Sequence, residues 1–354
     1  MAATSDLGPG ARLAEVLDAR ARRAGRSTGA VATVLAIAEA ATAIAGLVRR
    51  GPLPARLGAS SGHFGMDDER AASLALVADE IMLSVLRTTP TGVYASDEYA
   101  DAIRLRPDGS FAVAVSALEG AGNMDIGGAL SSLFQVHAVA GGAEDACASF
   151  LRAPRDMLAA GYVLYGPHVA MAVTIGQGTD IFILDPDSGQ FRLVADRVAI
   201  PVATRQFAIN TSNVRHWYDP VRAFVDDCVA GLDGPRGKDF NMRWSASLAV
   251  EAHRILMKGG VYLSPGDRRA GLMRGRLRHV FEAAPIVKLV EEAGGLASDG
   301  QRSLFDKVPA GMDAPTPLFF GAAEEVQRIE AVSVEPLPVR DVSPLFRARG
   351  LFSE

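Results

Sequence analysis

Cysteine is scarce in this sequence, with only Cys147 and Cys228 among 354 residues. Two thiols build neither a disulfide framework nor a zinc cluster, and such low usage is typical of proteins in a reducing cytoplasm. An excess of basic residues is also lacking, because 36 lysines and arginines stand against 41 acidic residues. A mildly acidic chain has no electrostatic attraction for nucleic acid. We therefore expect a cytoplasmic protein without a nucleic-acid partner.

Targeting and membrane signals are missing as well. The N-terminal residues show no basic stretch followed by an apolar core, so we expect no signal peptide. The most apolar long segment, residues 29–48, approaches the length of a membrane span, but it is mostly alanine and carries Glu39 near its centre. Because a charge inside a span is costly, the segment is interpreted as a buried or amphipathic helix. We expect no membrane contact.

The composition is that of an ordinary globular protein, with 49% hydrophobic and 22% charged residues. Helical patterns dominate up to residue 87, short apolar runs separated by turns follow from residue 92, and helices alternate with strands from about residue 200. This predicts a mixed α/β chain with helices and sheets in layers. We expect two domains, residues 1–198 and 199–335, and a tail at 336–354.

Two motifs of chemical character have simpler explanations. Gly58-Ala-Ser60-Ser-Gly62 matches the nucleophile-elbow pattern, but no predicted strand precedes it and no helix follows closely. Asp185-Pro-Asp187-Ser-Gly189 carries two acids but lies between two strand-like runs, so a hairpin turn explains it without a metal. Neither motif is assigned a catalytic role.

The stretch from Phe111 to Asp125 is where the sequence carries most chemical information. It begins as a buried strand, residues 111–115, and then breaks into loop-like sequence that contains Glu119, Gly120 and Gly122. Glycines let backbone N–H groups approach an anion closely, and Glu119 with Asp125 can hold a hard cation. A strand-end turn with two solvated acids is the alternative interpretation.

Acidic residues also occur at two other predicted strand ends. Asp97 and Glu98 follow the apolar run at residues 93–95. Farther on, Arg276, Arg278 and Glu282 fall on one face if residues 277–281 form a strand, because alternate strand residues share a face. Two arginines beside a carboxylate suit phosphate binding next to a metal. A solvated edge strand with an internal ion pair explains the same spacing.

Ser116-Ala-Leu-Glu-Gly-Ala-Gly-Asn-Met-Asp125 resembles the class I fructose-1,6-bisphosphatase signature, Asp-Pro-Leu-Asp-Gly-Ser-Ser-Asn-Ile-Asp. The leucine, the glycine, the asparagine and the last aspartate match, and the second acid is kept as Glu119. Ser96-Asp97-Glu98 is similar to the family's Ser-Glu-Glu. Residues 275–285 are similar to Gly-Lys-Leu-Arg-Leu-Leu-Tyr-Glu-Ala-Asn-Pro, with Arg276 in place of the lysine.

The resemblance extends over residues 12–325 and includes the segments around Asn210, Arg243 and Ser264. It implies the layered α-β-α-β-α sugar-phosphatase fold and Mg²⁺-dependent hydrolysis of the 1-phosphate of fructose 1,6-bisphosphate, in gluconeogenesis or the Calvin cycle. It also implies a homotetramer. The implied metal ligands are Asp97, Leu118 through its carbonyl, Glu119 and Glu282; the implied catalytic residues are Glu98, which orients water, and Asp97. The implied substrate-binding residues are Gly120, Ala121, Gly122 and Asn123 for the 1-phosphate, Asn210 and Arg243 for the 6-phosphate, and Arg276 for the sugar.

The sequence departs from the family at functional positions. Ser116 replaces a metal-binding aspartate, and Ala75 replaces an aspartate that helps to activate water. Trp244 and Ser264 replace two phosphate-binding tyrosines. Three functions therefore stay open: the family reaction, a catalytically weak paralogue that binds sugar phosphate, and a phosphatase for another sugar or inositol phosphate.

Overall fold

The computed structural model describes residues 7–25, 28–51, 66–140 and 145–334. The motif at 58–62 and the tail lie outside these ranges. The described helices are α1 Leu13–Ala24, α2 Thr28–Val48, α3 Met66–Leu86, α4 Asp219–Val229, α5 Leu248–Lys258, α6 Ala284–Glu292 and α7 Ala323–Val334. The helical patterns predicted up to residue 87 correspond to α1 to α3.

Eight strands form the first sheet, in the order β2-β1-β3-β4-β5-β6-β7-β8. They are β1 Thr91–Ser96, β2 Ile103–Arg104, β3 Phe111–Glu119, β4 Leu130–Ala138, β5 Ala159–Tyr165, β6 Val169–Thr174, β7 Thr179–Asp185 and β8 Gln190–Ala195. All neighbouring strands are antiparallel except β1 and β3, which are parallel. The turn between β7 and β8 is the predicted hairpin.

A second, smaller sheet follows in the chain, in the order β10-β9-β11-β15-β13. Its strands are β9 Gln206–Ala208, β10 Asn241–Met242, β11 Val261–Ser264, β13 Leu296–Ser298 and β15 Leu318–Gly321. A separate antiparallel pair is formed by β12 Leu277–Arg278 and β14 Pro315–Thr316.

Three hydrophobic cores stack the elements into five layers. The first lies between helices α1 to α3 and one face of the eight-stranded sheet, where α2 buries Val34, Ile37 and Ile44 completely. The second holds α5 and α6 between the opposite face of that sheet and the second sheet. The third packs α4 and α7 on the outer face of the second sheet. This is the predicted α-β-α-β-α arrangement. Because both faces of the first sheet are covered at its centre, strands such as β3, β5 and β6 have nearly continuous apolar sequences instead of alternating ones.

Helix α2 is long and apolar enough to cross a membrane by length and composition alone. In the fold it packs against α1, α3 and the first sheet, with most of its apolar residues buried in the first core. A core helix accounts for its sequence.

Two predictions about local structure are wrong. The strand that begins at Phe111 continues to Glu119, beyond the expected break after residue 115. The strand predicted at 277–281 stops at Arg278, and a turn of π-helix, His279–Ala283, leads directly into α6. The reason is local: the Glu282 carboxylate accepts a hydrogen bond of 2.6 Å from the Arg278 backbone N–H, as a capping side chain does at a helix start. Arg276, Arg278 and Glu282 therefore do not share one strand face.

Candidate active site

The parallel pairing of β1 and β3 brings two acidic residues to one edge of the first sheet. Ser96 lies opposite Val115, and the N–H of Asp97 donates to the Val115 carbonyl over 3.3 Å. Beyond this point the pairing of β3 with β4 shifts between Ser116 and Glu119. Such a bulge inserts an extra residue and changes the direction of the side chains that follow. The bulge covers Ala117 and Leu118, so the predicted carbonyl ligand lies where the strand is distorted.

Asp97 is held by two donors from different parts of the chain. Its Oδ2 accepts a hydrogen bond from Ser116 Oγ at 2.8 Å and another from Arg278 Nη2 at 2.5 Å. Its Oδ1 is buried and has no hydrogen-bond partner within the described residues. Within the described residues, Oδ2 of Asp97 thus has two hydrogen-bond donors and Oδ1 has none.

Arg278 connects Asp97 with Glu282. In addition to its contact with Asp97, its Nε lies 3.6 Å from Glu282 Oε2. The strand–π-helix junction thus places the Glu282 carboxylate beside an acid that lies 185 positions earlier in the chain. The arginine supplies the positive charge between these two acids.

Burial raises the pKa values of the acids at this edge. The pKa of Glu119 rises from 4.5 to about 7, chiefly because the carboxyl is buried; a 2.7 Å hydrogen bond from Ser131 opposes the rise, and the charges of Glu282 and Asp97 add to it. Burial likewise raises the pKa of Glu282, against the opposing effect of Arg278. The pKa of Glu98 rises through burial and then through the charge of Asp97. Asp97 and Glu282 both contact Arg278, and the charge of Asp97 contributes to the raised pKa values of Glu119, Glu98 and Glu282.

Asp97, Glu119 and Glu282 are thus brought into one acidic cluster. In their present side-chain conformations, no three Asp, Glu, His or Cys residues of the described ranges form a group that could hold a metal ion. Their oxygens are nevertheless the hard donors that Mg²⁺ prefers, and Asp97 Oδ1 lacks a partner. The cluster fits a divalent cation in its chemistry, with Arg278 holding part of its charge.

The predicted phosphate turn follows Glu119 directly. Gly120 has φ +79°, a conformation that favours glycine, and its carbonyl accepts from the Asn123 N–H at 2.8 Å. Ala121–Asn123 forms one turn of 3₁₀-helix, and Gly122 is exposed. Asp125, the other acid of this stretch, is exposed.

A pocket of about 300 Å³ opens beside Glu119. It lies next to strands β9 and β11 and the loop that follows β11. The residues that line it include Glu119, Asn210, Trp244, Ser264, Asp267, Arg269 and Arg276. Arg276 is exposed and makes no ion pair with the described part of the chain.

Asn210 lines this pocket and has a free amide nitrogen within the described residues. Its Oδ1 accepts hydrogen bonds from the backbone N–H and the hydroxyl of Ser212, at 3.1 and 2.6 Å, and so caps the short helix Thr211–His216. Because the oxygen is engaged with an N–H donor, the Nδ2 group is left to meet a ligand. An amide donor suits a phosphate oxygen.

The two tyrosine replacements both lie on this pocket. Trp244 stacks on Tyr262, with ring centroids 6.0 Å apart and planes 7° apart, and forms an aromatic wall. Ser264 leaves only a small hydroxyl at the end of β11. Arg243 is exposed and is not among the residues that line the pocket of its own chain.

Two features of the site were missed in the sequence. Asp79 on α3 is completely buried, and its Oδ1 accepts a 2.6 Å hydrogen bond from the Tyr94 hydroxyl. Asp267 and Arg269 lie together at the pocket. The acid at position 79 is four residues after Ala75, one helical turn away, which is a detectable signal. Nothing in the loop sequence distinguishes Arg269 from Arg268.

Known proteins match most of this chain. Residues 13–196 match the N-terminal domain model of fructose-1-6-bisphosphatase, and residues 200–334 match the C-terminal domain model. The chain is 45% identical to a class 1 fructose-1,6-bisphosphatase of Bradyrhizobium sp. over 90% of its length and 92% of that protein. It is 43% identical to that of Paracoccus denitrificans, over 90% and 93% of the two chains.

A solved structure, fructose-1,6-bisphosphatase of Leishmania major in its holo form, has the same fold. It superimposes with a TM-score of 0.80 at 24% sequence identity and covers 92% of this chain and 100% of that one. Two adjoining domain models, extensive identity and the layered fold lead to one conclusion: the chain belongs to the class 1 fructose-1,6-bisphosphatase family.

Proposed function

We propose that this protein hydrolyses the 1-phosphate of fructose 1,6-bisphosphate and releases fructose 6-phosphate, the activity for which its relatives are named. The observation that carries the proposal is the acidic cluster of Asp97, Glu119 and Glu282 beside a pocket that Arg276 and Asn210 line. A bisphosphate needs two different environments, one where a phosphate reacts and one where the other phosphate is only held. The acidic cluster and the Asn210 end of the pocket supply them.

Mg²⁺ is the metal that we propose for this reaction. Asp97, Glu119, Glu282 and the Leu118 carbonyl would hold it, since all four offer oxygen donors at the bulged end of β3 or across from it. A bound divalent cation would neutralise charge on the reacting phosphate. It would also favour the charged forms of Glu119 and Glu282, whose pKa values burial raises.

The remaining roles fall to the chain's own groups. Glu98, the residue after Asp97, would orient the attacking water, and its raised pKa would favour proton acceptance from it. The turn of Gly120, Ala121, Gly122 and Asn123 would hold the 1-phosphate; the Asn123 N–H is used within the turn, which leaves the earlier amides for this task. Arg276 would contact the sugar, and Arg243 would serve the pocket of a neighbouring subunit in a homotetramer.

One observation favours a second function, that of a slow or inactive sugar-phosphate-binding protein. Ser116 and Arg278 occupy the same oxygen of Asp97, and Ala75 is buried in the first core. A serine and an alanine contribute no charge to a metal. Loss of a charged catalytic group commonly costs about 10²–10⁴ in rate.

A phosphate-release assay tests the proposal. The purified protein should release phosphate from fructose 1,6-bisphosphate only with Mg²⁺, and Glu119→Gln should abolish this, whereas the exposed neighbour Asp125→Asn should not. Release from another sugar or inositol phosphate but not from this substrate would contradict the proposal. Binding of fructose 6-phosphate without turnover would support the second function.

Assembly, location and pathway are proposals of the same kind. We propose a cytoplasmic homotetramer that acts in gluconeogenesis or the Calvin cycle. Sedimentation that gives a monomer at micromolar concentration would contradict the tetramer and with it the role of Arg243.

A further inference from the structure

Arg269 lies on the loop between β11 and β12 and lines the pocket at its Asn210 end. The loop is docked there by backbone contacts: Arg268 N–H donates to the His216 carbonyl at 2.9 Å, and Asp267 pairs with Trp217. His216 ends the short helix that Asn210 caps. Because Asn210 caps the helix on which this loop docks, Arg269 belongs to the part of the pocket that Asn210 lines.

The guanidinium of Arg269 is held in one orientation by a buried acid. Asp267 is 5% exposed, and both of its carboxylate oxygens lie 3.0 Å from Arg269 Nε, with a further short contact to Nη2. Asp267 also accepts from the Arg269 backbone N–H at 3.0 Å. These hydrogen bonds remove most of the rotational freedom of the Arg269 side chain before a ligand binds.

Asp267 occupies only one edge of the guanidinium. It takes the Nε and Nη2 side, and Nη1 makes no hydrogen bond to the described part of the chain. The remaining N–H groups form the fork that binds two phosphate oxygens at once. The side chain is one-third exposed at the pocket, so this fork is accessible to a ligand.

The charge balance of the pocket points the same way. Among the residues that line it, Glu119 and Asp267 are acidic and Arg269 and Arg276 are basic. Arg243 of the same chain does not line it. Apart from Arg269 and from Arg276, which is assigned to the sugar, the side-chain donors that line the pocket are neutral and include the Asn210 and Asn213 amides and the Ser264 hydroxyl.

We propose that Arg269, oriented by Asp267, binds the phosphate that is not hydrolysed, the 6-phosphate of fructose 1,6-bisphosphate. The proposal rests on the proposed function for the identity of the ligand. Phosphate binding at this end of the pocket then depends less on the two tyrosine hydroxyls that are absent where Trp244 and Ser264 replace tyrosines. It also gives the chain a cation of its own for this phosphate, in addition to any arginine from a neighbour.

Two matched variants test it, with fructose 6-phosphate as the probe of the retained phosphate. Arg269→Gln should weaken calorimetric binding of fructose 6-phosphate about tenfold or more and raise KM for fructose 1,6-bisphosphate similarly, with kcat within about twofold, because a charge-assisted hydrogen bond to phosphate is lost. Arg268→Gln is the control, since Arg268 pairs with exposed Asp219 at 2.8 Å and does not line the pocket. It should leave both constants within twofold.

A third variant, Arg269→Lys, separates binding from folding. It keeps the ion pair with Asp267 but loses the fork, so binding should fall between wild type and Arg269→Gln at an unchanged unfolding temperature. An unchanged dissociation constant in Arg269→Gln, equal losses in Arg268→Gln, or a fall in kcat alone would each overturn the role of Arg269. Wild-type protein that binds no fructose 6-phosphate would overturn the proposed function as well, which distinguishes the two failures.

Discussion

Ser116, inside strand β3, donates a hydrogen bond of 2.8 Å to Asp97, which directly follows the neighbouring parallel strand β1. The family signature has an acid where this chain has Ser116. The hydroxyl therefore satisfies an existing carboxylate instead of adding a second one. The result is an acidic cluster with less negative charge, which Arg278 partly balances.

Restoring acids at the two positions should raise activity. In the double variant Ser116→Asp with Ala75→Asp, the Mg²⁺-dependent phosphatase rate should increase at least about tenfold, and each single change should do less, because groups of one catalytic unit are not additive. Initial rates across a Mg²⁺ titration measure this. A wild-type protein that already hydrolyses its substrate at ordinary phosphatase rates would contradict the second function, that of a slow or inactive sugar-phosphate-binding protein. A folded double variant that stays inert would assign the defect to Trp244 or Ser264.

Metal binding should strengthen as the pH rises through 7. The pKa of Glu119 is raised to about 7, and a protonated carboxyl is a poor ligand, so the Mg²⁺ concentration for half-maximal rate should fall between pH 6 and pH 8. The folded state without metal binds this proton more tightly than the unfolded state does. Its contribution to the free energy of unfolding is therefore present below pH 4.5 and is lost as the pH rises toward 7. A Mg²⁺ concentration for half-maximal rate that does not change between pH 6 and pH 8 would contradict the assignment. So would a pH dependence seen only in Ser131→Ala, the variant that lacks the hydrogen bond to Glu119.

Removing the arginine between the acids should destabilise the metal-free protein. In Arg278→Gln, Asp97 and Glu282 lose their shared counter-charge, and the free energy of unfolding should fall by about 1–3 kcal/mol, the usual worth of hydrogen bonds to charged groups. Excess Mg²⁺ should restore part of this loss. Denaturant unfolding with and without Mg²⁺ measures both effects. Equal destabilisation in the two conditions would mean that Arg278 and the cation do not share these acids.

A buried ion pair far from the acidic cluster should affect stability and leave catalysis intact. Arg236 and Glu325 contact each other at 2.6 Å, with side chains 6% and 0% exposed. Glu325→Ala should cost about 3–5 kcal/mol of unfolding free energy, because it leaves a buried arginine unpaired. Glu324→Ala, at an exposed neighbouring position, is the control and should cost little. The specific activity of folded Glu325→Ala should be normal, and a selective loss of activity would refute this separation.

Local sequence was sufficient for helices α1 to α6 and most strands, because periodic or continuous apolar patterns and end signals mark them, but α7 was not predicted. It failed at residues 277–282, where alternating charges imitate a strand. The observed π-helical turn depends on one contact between the Glu282 side chain and the Arg278 backbone.

The candidate site was predictable where motifs are contiguous and not where pairing is distant. Asp97, Glu98 and Glu119 follow recognisable strands. By contrast, the bond between Asp97 and Arg278 spans 181 positions, and the importance of Arg269 depends on a loop docked onto another segment. Only the tertiary fold makes Arg269 different from the arginine beside it.

The middle helical layer has a consequence for how the gene can be divided. Helices α5 and α6 come from the second half of the chain, yet they cover Leu133, Tyr162 and Ala172 on the first sheet. A recombinant fragment that stops near residue 198 would expose this apolar sheet face to water, and such surfaces promote self-association. The boundary between the two family domain models is therefore a poor place to cut. Truncation, split reporters and domain exchange at that position would all produce an incomplete globule, whereas insertions are better directed to exposed loops.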